Sequence, residues 1–569
     1  MPDTARSLAD AYLAERAALD PTTSAYLGLN QEDESLGDYS PDGFAALAEQ
    51  DRRTLAALDG LPGTARDDSA VGADRACARL LRERLTAQLA EYEAGDHLRS
   101  LNNISAPVHW VREIFTMRPA ENEQDWSRTS GRLADLPRAL DSYRASLAEG
   151  ARTGRTVAPR QVATVVEQLT EWAEPSPWFS DFVAEARQIN GVPDSLCEEL
   201  DARAENATRS VLAFRDWLRT EYAPAAEGTP DAVGRERYLR AARSHSGSDL
   251  DLDEAYGWAW TEFHRLLAEQ RVEAARILTG ARDPEPLTAM RHLDAHGPIV
   301  HGVDQIRVYL QQLMDEAIDA LDGTHFDITG PVRKVEAMIA PAGGAAAPYY
   351  SAPSLDFSRP GRTWLPTMGH TEFPTWQLVS TWYHEGVPGH HLQLAQWVAC
   401  AEKLSQYQCS LGSVSANVEG WALYAERLMD ELGFFSTPEH RIGFLDEQML
   451  RTIRVIIDIG MHLGLRIPSD SPFHPGERWT PALGDAFFAA YNGSPADMRE
   501  SEIVRYLGWP GQAIGYKLGE RAWLAGREAA KSAALKSGKE FDLRTWHMAA
   551  LSQGSLGLDD LASTLATLP

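Results

Sequence analysis

The sequence predicts a mainly α fold, on three observations. Apolar residues recur three and four apart over long stretches, as in Ala11, Leu13, Ala14, Ala17 and Leu19, and again in Val211, Leu212, Phe214 and Leu218. The main β candidate is one region, VRKVEAMIAP (332–341), a Gly/Ala stretch, and PYYSAPSLDFSRPGRTWLPTM (348–368), which predicts a small sheet or strand pair. No internal repeat, heptad run or low-complexity block interrupts the helical pattern.

A chain of 569 residues can bury a large core and is expected to fold as more than one lobe. Small, polar and turn-forming residues cluster in AEGTPDAVG (226–234) and SHSGSDLD (244–251). A boundary near 245 is expected, giving an N-terminal helical lobe (1–245) and a C-terminal catalytic lobe (246–569), intimately packed.

Set against 54 Lys and Arg, 82 Asp and Glu leave a net charge of −28, which repels phosphate backbones and anionic lipid heads and argues against a nucleic-acid partner. Four cysteines without a CxxC pair do not make a disulfide framework, so a reducing compartment is expected. The first residues are charged and helical in pattern, and no run of 18 uncharged apolar residues occurs, so the expectation is a cytoplasmic protein without a membrane span. It is read as a monomer or homodimer.

The chemistry concentrates in His384-Glu385-Gly386-Val387-Pro388-Gly389-His390-His391. Zinc helices of hydrolases place two histidines four apart on one face with a glutamate after the first to activate water. Here His390 lies six residues after His384, which on a regular helix rotates it about 120° away. Pro388 cannot donate to the carbonyl four residues back and Gly389 permits an unusual turn, so a bulge is expected. If two residues such as Val387 and Pro388 loop out, the remainder reads HE-x-x-H and His390 returns to the metal side. His391 is the alternative, on the same face as His384 but about 10.5 Å further along an intact helix.

A carboxylate from a neighbouring helix completes such a site. VEGWALYAERLMDEL begins a fresh amphipathic helix, with Ser415 or Asn417 as cap and Glu419 at its start. Glu426 follows seven residues later on the same face, so one glutamate can bind metal while the other orients a ligand histidine. The expected set is therefore a zinc ion on His384, His390 and Glu419, with Glu385 as general base.

At these residues the chain resembles the bacterial family known as domain of unknown function 885, through HEGVPGHHLQ, VEGWALYAE, YYSAPSLDFSRPG, RVIIDIGMH and RYLGWPGQAIGYKLG. It is distantly similar to M32 carboxypeptidases and M3 oligopeptidases, which are gluzincins. That resemblance implies a two-lobed helical body with a deep central cleft and a small β-sheet next to the zinc helix. It also implies a strand, here within 349–365 and including Tyr349 and Tyr350, that binds substrate backbone, and a downstream tyrosine, matched by Tyr516, that stabilises the tetrahedral intermediate. The chain departs from the family pattern at 463–488, LGLRIPSDSPFHPGERWTPALGDAFF, where added Pro, Ser and His bear on the substrate more than on the chemistry.

Asp458 and His462 lie four apart on one helix face, as a pair that touches ligand or substrate or simply supports the helix. Arg505, Tyr506, Gln512 and Lys517 surround the Trp-Pro-Gly-Gln turn and are candidates for holding a substrate carboxylate, while His547 reads as structural. The expected activity is zinc-dependent hydrolysis of an amide bond in a small peptide or peptide-like substrate. The rivals are a zinc enzyme specialised for a non-peptide small-molecule amide, and a non-catalytic binding protein on a peptidase fold.

Overall fold

A computed structural model describes residues 3–29, 32–61, 72–117, 120–340 and 347–569. Helices account for 66% of the chain and strands for 4%, so the fold is mainly α with a small sheet.

The chain divides into two compact units. The first comprises 1–68, 84–233 and 504–509, and the second 69–83, 234–503 and 510–569. The main crossing falls at Val233 and Gly234, whereas the boundary expected near 245 lies within the second unit, at the end of the helix Gly234–Ser246.

In the first unit the helices Glu123–Arg152 and Asp194–Trp217 pack on each other. Leu133, Leu136, Leu140, Tyr143 and Leu147 recur at spacings of three and four and are buried against the same core as Leu200, Ala204, Ala207, Val211 and Phe214. Each fully buried leucine there contributes about 1.5–3 kcal/mol. Asn122 starts the first of these helices by accepting from the Asp125 amide. The N-terminal stripe is displaced from the expected one. The helix Ala5–Leu19 buries Ala5, Leu8, Ala9, Tyr12, Leu13 and Ala17, whereas Ala11, Ala14 and Leu19 face outward, because Tyr12 and Leu8 supply the larger apolar area.

The second unit is built around the helix Pro438–Leu463, whose side chains are buried from Ile442 to His462. Thr437 caps its start by accepting from the His440 amide, and Gly464 ends it with a left-handed backbone, φ 59°. Leu252–Ile277 and Thr375–Glu385 pack along it. The helices Ser415–Glu431 and Gly515–Lys536 cross so closely that a Cβ on Gly519 would lie 1.9 Å from the Ala416 carbonyl oxygen, and one on Gly420 would lie 2.5 Å from the Gly519 Cα. Glycine at both positions is what lets the backbones touch.

The three-stranded sheet lies in the region expected to hold it. Val335–Ile339 runs parallel to Gly361–Leu365, which pairs antiparallel with Tyr349–Ser351, so that Gly361–Leu365 is central and the other two are edge strands. Gly361, Thr363 and Leu365 are buried and their neighbours less so, the period of two expected of a half-covered strand. Pro341 and the Gly/Ala residues to 346 lie outside the described residues. A second, two-stranded pairing joins Ile299–His301 to Glu372–Pro374. The atypical 463–488 segment closes on itself: the Ile467 amide donates to the Glu477 carbonyl at 2.8 Å, and Trp479 donates from Nε1 to Tyr256 Oη at 2.8 Å. Among the described residues no helix is long and apolar enough to cross a membrane.

Candidate metal centre

The helix carrying the motif is interrupted as its sequence requires. Thr375–Glu385 ends at Glu385, and a second helix, His390–Ala399, begins at His390. Between them the Gly389 amide donates to the Tyr383 carbonyl at 3.0 Å, six residues back instead of the four of a regular helix, which is a two-residue insertion. Gly389 is needed there, because a Cβ would lie 1.9 Å from the His384 carbonyl oxygen. Trp421 holds the loop from the neighbouring helix, its Nε1 lying 2.9 Å from the Pro388 carbonyl oxygen and 3.1 Å from that of Gly389.

The insertion brings His390 back beside His384, with ring centroids 4.8 Å apart and planes at 84°. The helix Ser415–Glu431 supplies Glu419 between them. Its Oε2 is 3.4 Å from His384 Nε2 and 3.5 Å from His390 Nε2, and one ligand atom from each of the three residues lies within 4.8 Å of the others. Those two separations are long for hydrogen bonds and match the roughly 3.3 Å between neighbouring ligands of a tetrahedral zinc with bonds of about 2.0–2.1 Å. Glu419 Oε2 is buried without a hydrogen-bond partner, which three converging donors to one ion account for. The residues fit a metal of the zinc type.

Glu426 sits behind His384. One carboxylate oxygen lies 2.7 Å from His384 Nδ1 and the other accepts from Ser380 Oγ at 2.7 Å. This leaves Nε2 as the atom facing Glu419. Burial works against the His384 imidazolium, yet the Glu419 and Glu426 carboxylates raise its pKa to about 9. Glu419 is held well below the usual carboxylate range: burial opposes this, and the two histidines outweigh it. A group of carboxylates that pulls protons onto histidine is one that a cation would satisfy.

Glu385 is 8% exposed, its carboxylate makes no hydrogen bond among the described residues, and burial raises its pKa against the pull of His390 and His384. A carboxylate of raised pKa with free lone pairs beside the candidate ligands is suited to accept a proton.

His391 is excluded as the alternative ligand because both ring nitrogens are taken. Nε2 donates to the Val332 carbonyl at 2.7 Å, and Nδ1 accepts from Tyr350 Oη at 3.0 Å. Its pKa falls to about 4 through burial, consistent with a neutral ring tying the helix to the sheet. Tyr350 therefore serves His391, and Tyr349 stacks on Trp364 at 5.8 Å.

Other expected residues divide. Tyr516 opens the helix Gly515–Lys536, and the Arg454 guanidinium lies 4.8 Å over its ring. Lys517 is not available to a substrate carboxylate: it is wholly buried, with Glu262 at 3.0 Å, Glu520 at 2.5 Å and Gln448 around its ammonium. Asp458 accepts from Tyr238 Oη at 2.8 Å and from the Gly511 amide at 3.0 Å, so it anchors the turn after Pro510, and His462 Nε2 stands 3.4 Å from its other oxygen. Gln512 is buried in that turn, where its carbonyl accepts from Gly515. Arg505 and Tyr506 belong to the first unit, in cation–π contact at 5.9 Å. The expected caps Ser415 and Asn417 do not cap: Val414 occupies that position, and Asn417 donates to the Leu556 carbonyl at 3.0 Å.

Sequence reasoning missed Ser380, whose hydroxyl fixes Glu426, and Arg451, a buried cation whose charge reaches Glu385, Glu419 and Glu426. Ser380 lies four residues before His384, a spacing that could have flagged it.

Residues 21–565 match the family described as "Bacterial protein of unknown function (DUF885)". No curated protein matches the chain. Two solved structures are similar over nearly their whole lengths. One is a "putative lipoprotein" from Colwellia psychrerythraea, 20% identical with a TM-score of 0.84, covering 99% of this chain and 98% of that one. The other is a "putative lipoprotein of unknown function" from Shewanella oneidensis, 18% identical with a TM-score of 0.75, covering 99% and 100%. At such identities the likeness is one of fold, while the family match spans nearly all of the sequence: the chain belongs to the DUF885 family.

Proposed function

We propose that this protein is a zinc-dependent hydrolase of the gluzincin type that cleaves an amide bond in a small peptide or peptide-like substrate. The observation that carries the reading is the convergence of His384 Nε2, His390 Nε2 and Glu419 Oε2 at 3.4 and 3.5 Å beside a carboxylate, Glu385, with no hydrogen bond of its own. Zinc held there would lower the pKa of a water and polarise the scissile carbonyl. Glu385 takes the proton of the attacking water and passes it to the leaving amine. Tyr516 donates its hydroxyl to the oxygen on which charge develops. Glu426 and Ser380 hold His384 in the tautomer that directs Nε2 inward. The edge strand Tyr349–Ser351 offers unpaired backbone groups for a substrate main chain.

For location, four widely spaced cysteines without a CxxC pair favour a reducing compartment, whereas the description of both similar solved structures as a "putative lipoprotein" favours the cell envelope; fractionation decides between them.

The test is hydrolysis of a panel of dipeptides, blocked peptides and small-molecule amides by the zinc-loaded protein, with Glu385→Gln as comparison. Release of amine by the wild type, reduced about 10²- to 10⁴-fold in the variant at equal zinc content, supports the reading. Equal turnover in the two proteins would sink the role of Glu385, and cleavage confined to non-peptide amides would move the substrate class.

A further inference from the structure

The helix Pro438–Leu463 carries buried charges that hydrolysis as described above does not use. Glu447, Arg451, Arg454 and Asp458 follow one another at spacings of four, three and four, so they share one face. Asp458 holds the turn at Gly511, and Arg454 pairs with Glu502 at 2.8 Å while covering the Tyr516 ring.

Arg451 is different. It is 8% exposed, and among the described residues its only hydrogen-bond and ion-pair partner is Glu447, one turn back, which meets Nη1 through its carboxylate and, at 3.3 Å, its main-chain oxygen. The Nε–H is buried with no partner. Because Nη1 is on the far side of the guanidinium, the edge formed by Nε and Nη2 has no partner among the described residues, and that edge presents two parallel donors with the spacing of a carboxylate. Leaving a buried, permanently charged donor unpaired is costly, and burial accordingly pulls the Arg451 pKa below the usual arginine value. The same charge acts on Glu419, Glu426, Glu385 and Tyr516, which places Arg451 in the surroundings of the candidate metal centre.

We infer that Arg451 is the specificity-determining residue of this site: its Nε–Nη2 edge receives a free carboxylate of the substrate in a bidentate pair close to the scissile bond. The inference rests on the hydrolase reading for the placement of that bond, but not for the anion-binding edge itself. Lysine could not replace it, since a point charge lacks the paired donors. The carboxylate can be an α-carboxylate at a chain end or the side chain of an acidic residue, which share this chemistry.

The experiment is isothermal titration of the full-length, zinc-loaded protein with three product-like probes: N-acetyl-phenylalanine, the α-amide of N-acetyl-aspartate, and N-acetyl-phenylalaninamide. They carry an α-carboxylate, a side-chain carboxylate and none. The wild type is expected to bind one of the acids at least tenfold more tightly than the neutral amide, and which acid identifies the source. Arg451→Gln should abolish that preference at unchanged zinc content. Arg451→Lys, which keeps a partner for Glu447 and so guards against misfolding, should lose most of it. A carboxylate preference that is absent in the wild type, or that survives undiminished in both folded variants, overturns the inference. Absence of zinc from the wild type defeats the hydrolase reading instead, and titration of the metal-free protein then still reads the Arg451 edge.

Discussion

Glu426 Oε1 and His384 Nδ1 lie 2.7 Å apart, both buried, on two helices that the chain brings together over 42 residues. The contact turns an otherwise rotatable imidazole into a fixed donor with Nε2 directed at Glu419. Glu426→Gln keeps the shape and removes the charge, so it should weaken zinc binding by about 10- to 100-fold with the fold intact. Competition against a fluorescent zinc chelator reads this directly; unchanged affinity would mean that Glu426 only fills space.

In the proposed mechanism Tyr516 acts on the developing oxyanion, not on the metal. Tyr516→Phe deletes the hydroxyl and keeps the ring beneath Arg454. Once a substrate is in hand, kcat should fall roughly 10²-fold or more, with KM and zinc content nearly unchanged. A kcat within about threefold of wild type removes Tyr516 from the catalytic list.

Much of the site was legible because it is encoded locally. His384, Glu385, Pro388, Gly389 and His390 define their own bulge, since proline and glycine act on backbone within a few residues, and the heptad spacing from Glu419 to Glu426 puts both on one face. What escaped depends on contacts distant in sequence. That His391 serves the Val332 carbonyl and Tyr350 follows from strand register, across 59 and 41 residues. The burial of Lys517 among Glu262, Gln448 and Glu520 needs three other helices to close around it, and nothing near Lys517 announces them. Arg451 is likewise one arginine of a helix until the packing leaves one of its edges without a partner.

His547 supplies a test of stability against pH. It is wholly buried, with Nε2 accepting from Tyr424 Oη at 2.7 Å and Nδ1 donating to the His325 carbonyl at 3.0 Å, and burial lowers its pKa to about 3. The folded value lies below the ordinary value of 6.5, so the unfolded chain takes up the proton first. Its contribution is complete above pH 6.5 and is lost as pH falls towards 3, at about 1.4 kcal/mol per pH unit. Urea midpoints between pH 7 and 5 should therefore fall more steeply for the wild type than for His547→Gln, by the equivalent of about one proton. Parallel slopes would contradict a buried neutral imidazole.

The most direct test of the metal centre is zinc stoichiometry by elemental analysis after dialysis, for the wild type and for His384→Ala, His390→Ala, Glu419→Ala and His391→Gln. The wild type and His391→Gln should each retain about one zinc per chain, and the three ligand variants should lose it while remaining folded. A wild type without bound zinc, or full occupancy in His390→Ala together with loss in His391→Gln, would contradict the assignment.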